Sequence, residues 1–365
     1  MTENLKKMFK WTLTTIGILL ITLALAEVML RVFHHFKPLY CFYDQSYNRF
    51  RGRPLAEDWD FHLNSKGFKD VEFSEEKRAD IRVLGLGDSF AYGIVPYRYN
   101  YYTRLEEILC MAGLDAEVIN MGIPCVGPTA YLNLLVTEGL ALKPDLVIVS
   151  FFVGNDFAEG AAFSASRNFG ERTKWYEYSF VTSFIYYLAS VKPHYEGQDA
   201  AGANEYIDQA PTFSEEAFLK IEKTRSYICR SDNSRLTDEL NATVPELEEI
   251  QSICDRRNIG LFVLIIPDEM QVNPELQKMI VGGMPDPNRW DWSQPNKKLA
   301  EKLEILGINY LDLLKAFRDA SLRTNLYKPR DTHWNIAGNE LAAQIIGQEL
   351  LNSKIFRISQ EGKTP

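Results

Sequence analysis

Ile81-Arg82-Val83-Leu84-Gly85-Leu86-Gly87-Asp88-Ser89-Phe90 is the stretch from which the fold can be read. Residues 81–86 form a short aliphatic run closed by Gly87, the pattern of a buried strand rather than of a helix. Four more runs of the same kind follow at 117–121, 145–152, 260–266 and 308–313, the third introduced by Pro144 and the fourth closed by Pro267. Helical patterns separate them at 98–113, 128–142, 213–230, 234–257, 293–306 and 335–352. Strands alternating with helices imply βαβ crossovers, hence an α/β protein with a five-stranded parallel sheet and helices on both faces.

The rest of the composition agrees with a globular body. The 365 residues are 46% hydrophobic and 24% charged, room for one large α/β domain with insertions or two domains at most. Forty basic against forty-nine acidic residues leave a net charge of −9, which excludes an extended nucleic-acid surface. The mean hydropathy is slightly negative, which excludes a multi-span membrane protein. Five cysteines are too few for a disulfide scaffold.

The first 31 residues stand apart. Lys6, Lys7 and Lys10 precede an uncharged stretch at 11–26, and Glu27 interrupts it before Val28, Met29 and Leu30. About 20 such residues cross roughly 30 Å of hydrocarbon as a helix, and an acid near the end of the span can reach the interface. Lysines on the N-terminal side favour a cytoplasmic N-terminus. The expected reading is a single-pass signal anchor with the body on the extracytoplasmic, periplasmic side; the alternatives are a cleaved signal peptide, suggested by Ala24-Leu25-Ala26, and a buried core helix. In an exported body Cys110, Cys125, Cys229 and Cys254 could oxidise, and Cys229 with Cys254, on neighbouring helical segments, is the pair to expect. The chain is expected to divide into an anchor at 1–31, a stalk and N-terminal embellishment at 32–78, and a hydrolase-like domain at 79–355. That domain would carry a partly helical insertion at 157–212, rich in aromatics (Trp175, Tyr176, Tyr178, Phe180, Tyr186, Tyr187), as a minicore or a substrate wall.

Chemistry is expected beyond the carboxyl ends of the strands, where an open parallel sheet binds ligands. After the first strand, Gly87 permits a tight turn that presents the Ser89 hydroxyl, and Asp88 can bond nearby backbone amides; the ordinary alternative is a helix cap. After the third strand, Gly154-Asn155-Asp156 offers a neutral amide able to donate to a developing oxyanion, or a plain turn. Before the last helix, Asp331-Thr332-His333-Trp334-Asn335 holds a histidine with a carboxylate two residues before it; His34 and His35 flank the span, and His62 and His194, which also have an acid two residues away (Asp60 and Glu196), lie in the stalk and after a proline. A carboxylate-oriented imidazole is what a general base beside a serine needs.

Together these segments resemble the SGNH (GDSL-type) hydrolases over about 81–352. Gly87-Asp88-Ser89-Phe90 is similar to the first block, Asn120-Met121-Gly122-Ile123-Pro124-Cys125 to the second, Gly154-Asn155-Asp156 to the third and Asp331-Thr332-His333 to the last. The resemblance implies a three-layer α/β/α, flavodoxin-like fold and acyl-ester chemistry without metal or cofactor. It implies Ser89 as nucleophile, His333 as base, Asp331 as its orienter and Asn155 as oxyanion donor, with Asp88 and Gly154 in support. Residues 64–70 with an N-terminal anchor are similar to membrane-tethered bacterial members. Two departures stand out. Where the second block usually has its oxyanion glycine this chain has Cys125, which leaves Gly122, Cys125 and Gly127 as candidates for that backbone donor. The Asp and His are two apart rather than three, and the Asp-x-His-Trp form resembles the alginate-type polysaccharide O-acetyltransferases.

The function expected first is an esterase acting on O-acyl, chiefly acetyl, esters of cell-envelope carbohydrate or lipid. The alternatives are an O-acyltransferase modifying exported polysaccharide and a catalytically impaired binding or scaffold protein. No metal-ligand spacing, Gly-rich phosphate loop or signature of oligomeric state is present.

Overall fold

Five apolar runs pair as one parallel sheet: β1 (Ile81–Gly87), β2 (Ala116–Asn120), β3 (Leu146–Phe152), β4 (Gly260–Ile266) and β5 (Tyr310–Asp312), in the spatial order β2-β1-β3-β4-β5. The computed structural model describes residues 3–36, 43–44, 49–50, 55, 57–164, 179–186, 205–282 and 289–353. Every residue of β1 and β3 is buried, which is why both read as predominantly apolar runs. Arg82, the one charge inside β1, is buried but satisfied: its Nε donates to Glu117 at 2.8 Å and its Nη2 to the Glu76 carbonyl at 2.9 Å.

One face of the sheet carries the helices Tyr101–Met111, Leu314–Ser321 and Ile336–Asn352, whose apolar residues form one core with β1. The helices Pro128–Thr137, Asp156–Ser164, Ser234–Arg256 and Gln294–Leu306 pack together as the other layer. The protein is therefore a three-layer α/β/α sandwich of flavodoxin-like strand order. The expected fifth strand, 308–313, contracts to Tyr310–Asp312, and the helix expected at 128–142 ends at Thr137, followed by a 3₁₀ turn Gly139–Leu142. Four short helices carry too few residues for a periodic signal: Ser89–Tyr92, Glu269–Val272, Pro274–Val281 and Leu314–Ser321.

The chain divides into two units, residues 1–53 with 170–196 and residues 54–169 with 197–365. In the second unit, residues 57–71 form a strap bound to the body. Lys69 is fully buried; its Nζ donates to the carbonyls of Gly93 (2.9 Å) and Val95 (2.6 Å) and pairs with Asp58 at 2.5 Å. Asp70 accepts from the Asn120 backbone at 2.7 Å and from the Tyr97 hydroxyl at 3.0 Å. The helix Asp156–Ser164, where the insertion was expected to begin, packs into the body through Phe157, whose ring lies 4.9 Å from that of Phe151. Trp175, Tyr176, Tyr178 and Tyr187 lie outside the described residues.

In the first unit the helix Glu3–Phe36 contains a 29-residue segment, Leu5–Phe33, long and apolar enough to cross a membrane. Glu27 does not stand alone there. It accepts from Ser179 Oγ (2.8 Å) and from the backbone N–H groups of Phe180 and Val181 (3.0 Å each), at the start of the helix Phe180–Tyr186.

The expected Cys229–Cys254 disulfide is absent. Both thiols are free and buried, Cys229 at the end of the turn Ser226–Cys229 and Cys254 on the inner face of Ser234–Arg256. Each behaves as a small apolar core residue.

Candidate active site

The site is built where the strand order reverses, between β1 and β3, as expected for an open parallel sheet. β1 stops at Gly87 because the chain must turn where no side chain fits: a Cβ there would lie 2.7 Å from the Ala91 Cβ and 2.9 Å from that of Ser150. Asp88 then caps the helix Ser89–Tyr92, its Oδ1 accepting from the Phe90 N–H at 2.8 Å. The cap is thus Asp88 and not Ser89, whose hydroxyl is left to the site.

The loop 326–335 reaches the same point from the far end of the chain. Lys328 N donates to the His333 carbonyl (2.9 Å) and Asn335 N to that of Leu326 (3.0 Å), so the loop closes on itself. The Asn335 side chain caps the following helix at Gly338 N. Trp334 is buried against Phe90, Tyr101 and Phe317, with ring centroids 5.1, 5.6 and 4.9 Å away. The His333 ring lies 5.0 Å from that of Phe90, the residue after Ser89. His333 Nε2 stands 2.7 Å from Ser89 Oγ, and its Nδ1 stands 2.6 Å from Asp331 Oδ1. Asp331 Oδ1 also accepts the His333 backbone N–H at 3.1 Å. Hydroxyl, imidazole and carboxylate form one hydrogen-bonded line. Such a line can take a proton from the serine as it attacks a carbonyl and return it to a leaving alcohol.

Residues 229–364 match the model of the SGNH hydrolase-like domain of the acetyltransferase AlgX, a segment that holds Asp331 and His333 and begins after Ser89 and Asn155. Over that segment the chain resembles an SGNH hydrolase-like domain. No curated protein matches. Among solved structures, an acetyl xylan esterase, AlAXEase, is similar at 13% identity over 74% of this chain and 100% of that one, with a TM-score of 0.41. The acetylxylan esterase Axe2 of Geobacillus stearothermophilus, as a catalytic mutant, is similar at 13% identity over 74% and 94%, with a TM-score of 0.41. TesA is similar at 10% identity over 74% and 97%, again at 0.41.

The other expected residues fall around the relay unequally. Asn155 follows β3, and its side chain interacts with the Asp88 carboxyl behind Ser89, while its own buried Oδ1 has no hydrogen-bond partner. Gly154 fits between the Phe152 ring and Asp268, where a Cβ would come within 2.5 Å of the carboxylate. The three second-block candidates separate. The Gly122 N–H is already donated to Asn120 Oδ1 at 2.9 Å, and Asn120 Nδ2 in turn holds the Ala91 carbonyl at 2.8 Å. Gly127 caps the helix Pro128–Thr137. Cys125 is exposed and sits at φ 61°, the left-handed conformation a glycine adopts freely. His62 is exposed beside Glu57, apart from the relay.

Burial by itself would favour the neutral acid at Asp331, but the charge of His333 and hydrogen bonds from His333 and Thr212 outweigh it and hold the carboxyl below its ordinary range. Asp88 moves the other way: burial pushes it up, against the Phe90 N–H, His333, Asn155 and Arg225.

Two contributors were not singled out from the sequence. Asp156 is buried, accepts the Tyr131 hydroxyl at 3.0 Å and the Phe152 N–H at 3.0 Å, and so ties the end of β3 to the layer behind it. Segment 205–213 grips the histidine loop: Thr212 N and Phe213 N donate to the carbonyls of Pro329 and Arg330 at 3.2 Å each, and Lys328 Nζ donates to Ile207 and Ala210 at 2.7 Å each. No periodicity marks that segment.

Proposed function

We propose that the protein is a serine esterase that removes O-acyl groups, chiefly acetyl, from cell-envelope carbohydrate or lipid through an acyl-enzyme on Ser89. The observation that carries this is the line Ser89–His333–Asp331, with heavy-atom separations of 2.7 and 2.6 Å. In the first half-reaction His333 Nε2 accepts the Ser89 proton as Oγ bonds to the ester carbonyl carbon. Asp331 holds the Nδ1 proton and stabilises the imidazolium. The Asn155 amide, the Ser89 N–H and the Cys125 or Gly127 N–H serve the oxyanion, one such donor being worth about 3 kcal/mol of barrier. The tetrahedral intermediate collapses, His333 protonates the departing alcohol, and the acyl group stays on Oγ. In the second half-reaction water attacks that ester with His333 again as base, releasing the acid and restoring the serine.

The match of 229–364 to an acetyltransferase domain favours a second reading, in which a sugar hydroxyl replaces water in that last step. For the location, the lysines before the apolar helix support a single-pass anchor with the body on the extracytoplasmic face.

Labelling of the full chain in detergent with a fluorophosphonate tests the nucleophile. Wild type is expected to be modified and Ser89→Ala not; absence of labelling in both removes the esterase and the transferase alike and leaves a binding or scaffold role. Incubation with an activated acetyl ester, with and without an oligosaccharide acceptor, separates the two enzymatic readings, because only a transferase yields acylated glycan.

A further inference from the structure

Two partly exposed aromatic side chains bridge the chain segments that carry the relay, and the mechanism does not use them. Trp59 lies at the turn between the paired residues Glu57–Asp58 and Phe61–His62, and Tyr206 lies in the segment that grips the histidine loop. Their rings meet edge to face, 5.2 Å apart at 79°. Each is moored to one half of the site. On the Trp59 side, the neighbouring Asp58 accepts from the hydroxyl of Tyr92, the last residue of the Ser89 helix, at 3.3 Å, and pairs with Lys69, which also holds the Gly93 carbonyl. On the Tyr206 side, the phenol donates to Asp208 at 2.8 Å, Asp208 accepts from Ile336 N at 3.0 Å just beyond His333, and Lys328 lies 5.0 Å from the ring. Tyr206 is close enough to Asp331 to be influenced by its charge.

Trp59 keeps this place at a conformational cost. Its φ is 57°, in the left-handed region, where a bulky side chain is an outlier and a glycine would turn the hairpin freely. Strain kept beside a reactive site points to a use for the side chain itself. A right-angled aromatic corner offers apolar faces. With Asp58 engaged by Lys69 and Tyr92, Asp208 and the Tyr206 hydroxyl supply the polar edge, and the combination suits a sugar ring, apolar on its C–H faces and hydroxylated at its rim. It does not suit a hydrocarbon chain, which would have to lie against carboxylates.

We propose that Trp59 and Tyr206 form the wall on which a sugar ring of the substrate stacks, so that the alcohol half of the ester is carbohydrate and not lipid. The proposal rests on Ser89 being the nucleophile of the same site. It is tested on the full chain in detergent with three probes: an aryl acetate, acetylated oligosaccharides of xylo, gluco and manno configuration, and a diacylglycerol. Trp59→Gly fits the left-handed turn and so removes the ring without unfolding the hairpin; Trp59→Phe keeps a ring. The selectivity of wild type for the best oligosaccharide over the aryl acetate, as a ratio of kcat/KM, is expected to fall roughly tenfold in Trp59→Gly and in Tyr206→Ala, through KM, and to be largely kept by Trp59→Phe. Equal losses on both substrates would reduce the pair to a structural role, and a loss specific to the diacylglycerol would make the wall a lipid surface; either overturns the proposal. Oligosaccharide titration of Ser89→Ala, followed by calorimetry and compared with the Ser89→Ala/Trp59→Gly double variant, reads the wall without turnover. Failure of the esterase reading alone abolishes every turnover and leaves that titration intact, whereas a titration insensitive to Trp59 sinks the wall alone.

Discussion

The histidine loop 326–335 and the strap 57–71 each bury an aspartate, and the two carboxyls are displaced in opposite directions. Asp331 is held below the ordinary carboxylate range and Asp70 is raised to about 7. Both are almost wholly removed from water, so burial alone does not decide the sign. Asp331 faces the His333 imidazole, whose hydrogen bonds, and charge when it is protonated, favour the anion. Asp70 meets only neutral donors, the Asn120 and Val71 N–H groups and the Tyr97 hydroxyl, which do not offset its burial, and Glu106 adds a negative charge nearby. One loop holds a buried carboxylate charged beside an imidazole; the other buries an acid that fastens the second block to the strap.

The largest effect that could break this contrast is on rate. Asp331→Asn removes the charge that orients and stabilises the imidazolium while keeping the shape, and kcat/KM for a small acetyl ester is expected to fall about 10³- to 10⁴-fold. Asp70→Asn, measured on the same ester at pH 7, is expected to lose far less, because Asp70 touches Asn120 and not the relay. Comparable losses in both variants would mean that the strap is part of the chemistry.

The next effect is on stability, and pH separates the two residues. Between the ordinary carboxyl value of 3.8 and about 7, the unfolded chain has released the Asp70 proton while the folded protein keeps it. The fold therefore loses stability as pH rises through that window, by about 4 kcal/mol for this group if the full shift is expressed. Glu269, raised by burial to about 8, acts in the same direction. Asp331, being lowered, contributes stability above the ordinary value and loses it only as pH falls through its own folded value. Thermal melts of the full chain between pH 4.5 and 7.5 are expected to show the melting temperature declining with pH. Asp70→Asn should flatten that decline while melting lower at pH 4.5, since its amide N–H₂ faces backbone donors. An unchanged slope would show that Asp70 is already ionised in the fold.

Only the histidine-loop half of this contrast was legible in the sequence, and the limit is physical. Ser89 and Asn155 stood out as candidates because each follows a buried strand by two or three residues, and His333 because it precedes the last helix with a carboxylate two residues before it. The contacts that aim these groups are long-range. The Trp334 ring against Phe90, Thr212 on the histidine loop and Asp208 on Ile336 join segments more than a hundred residues apart and leave no period in the chain. The same holds for Glu27, whose partners begin at Ser179. The expected disulfide failed for the opposite reason: proximity along two helical segments was legible, but both thiols serve as core side chains.

The smallest effect concerns the point where the second block departs from the SGNH pattern. Cys125 has φ 61°, a conformation that costs an L-residue roughly 1–2 kcal/mol, whereas a glycine there would give back about 0.5–1 kcal/mol in lost chain entropy. Cys125→Gly is therefore expected to stabilise the fold by about 0.5–1 kcal/mol, a rise of roughly 1–4 °C in melting temperature. It also keeps the backbone N–H, so esterase activity should be retained or increased, while Cys125→Ala keeps both the N–H and the strain and should melt like wild type. If glycine lowers the melting temperature, the residue is held by its thiol rather than tolerated despite its backbone. If glycine restores a rate that alanine does not, the cysteine backbone is what has been limiting the oxyanion donor, and the strap, the relay and the second block then differ in kind: one structural, one chemical and one poised between the two.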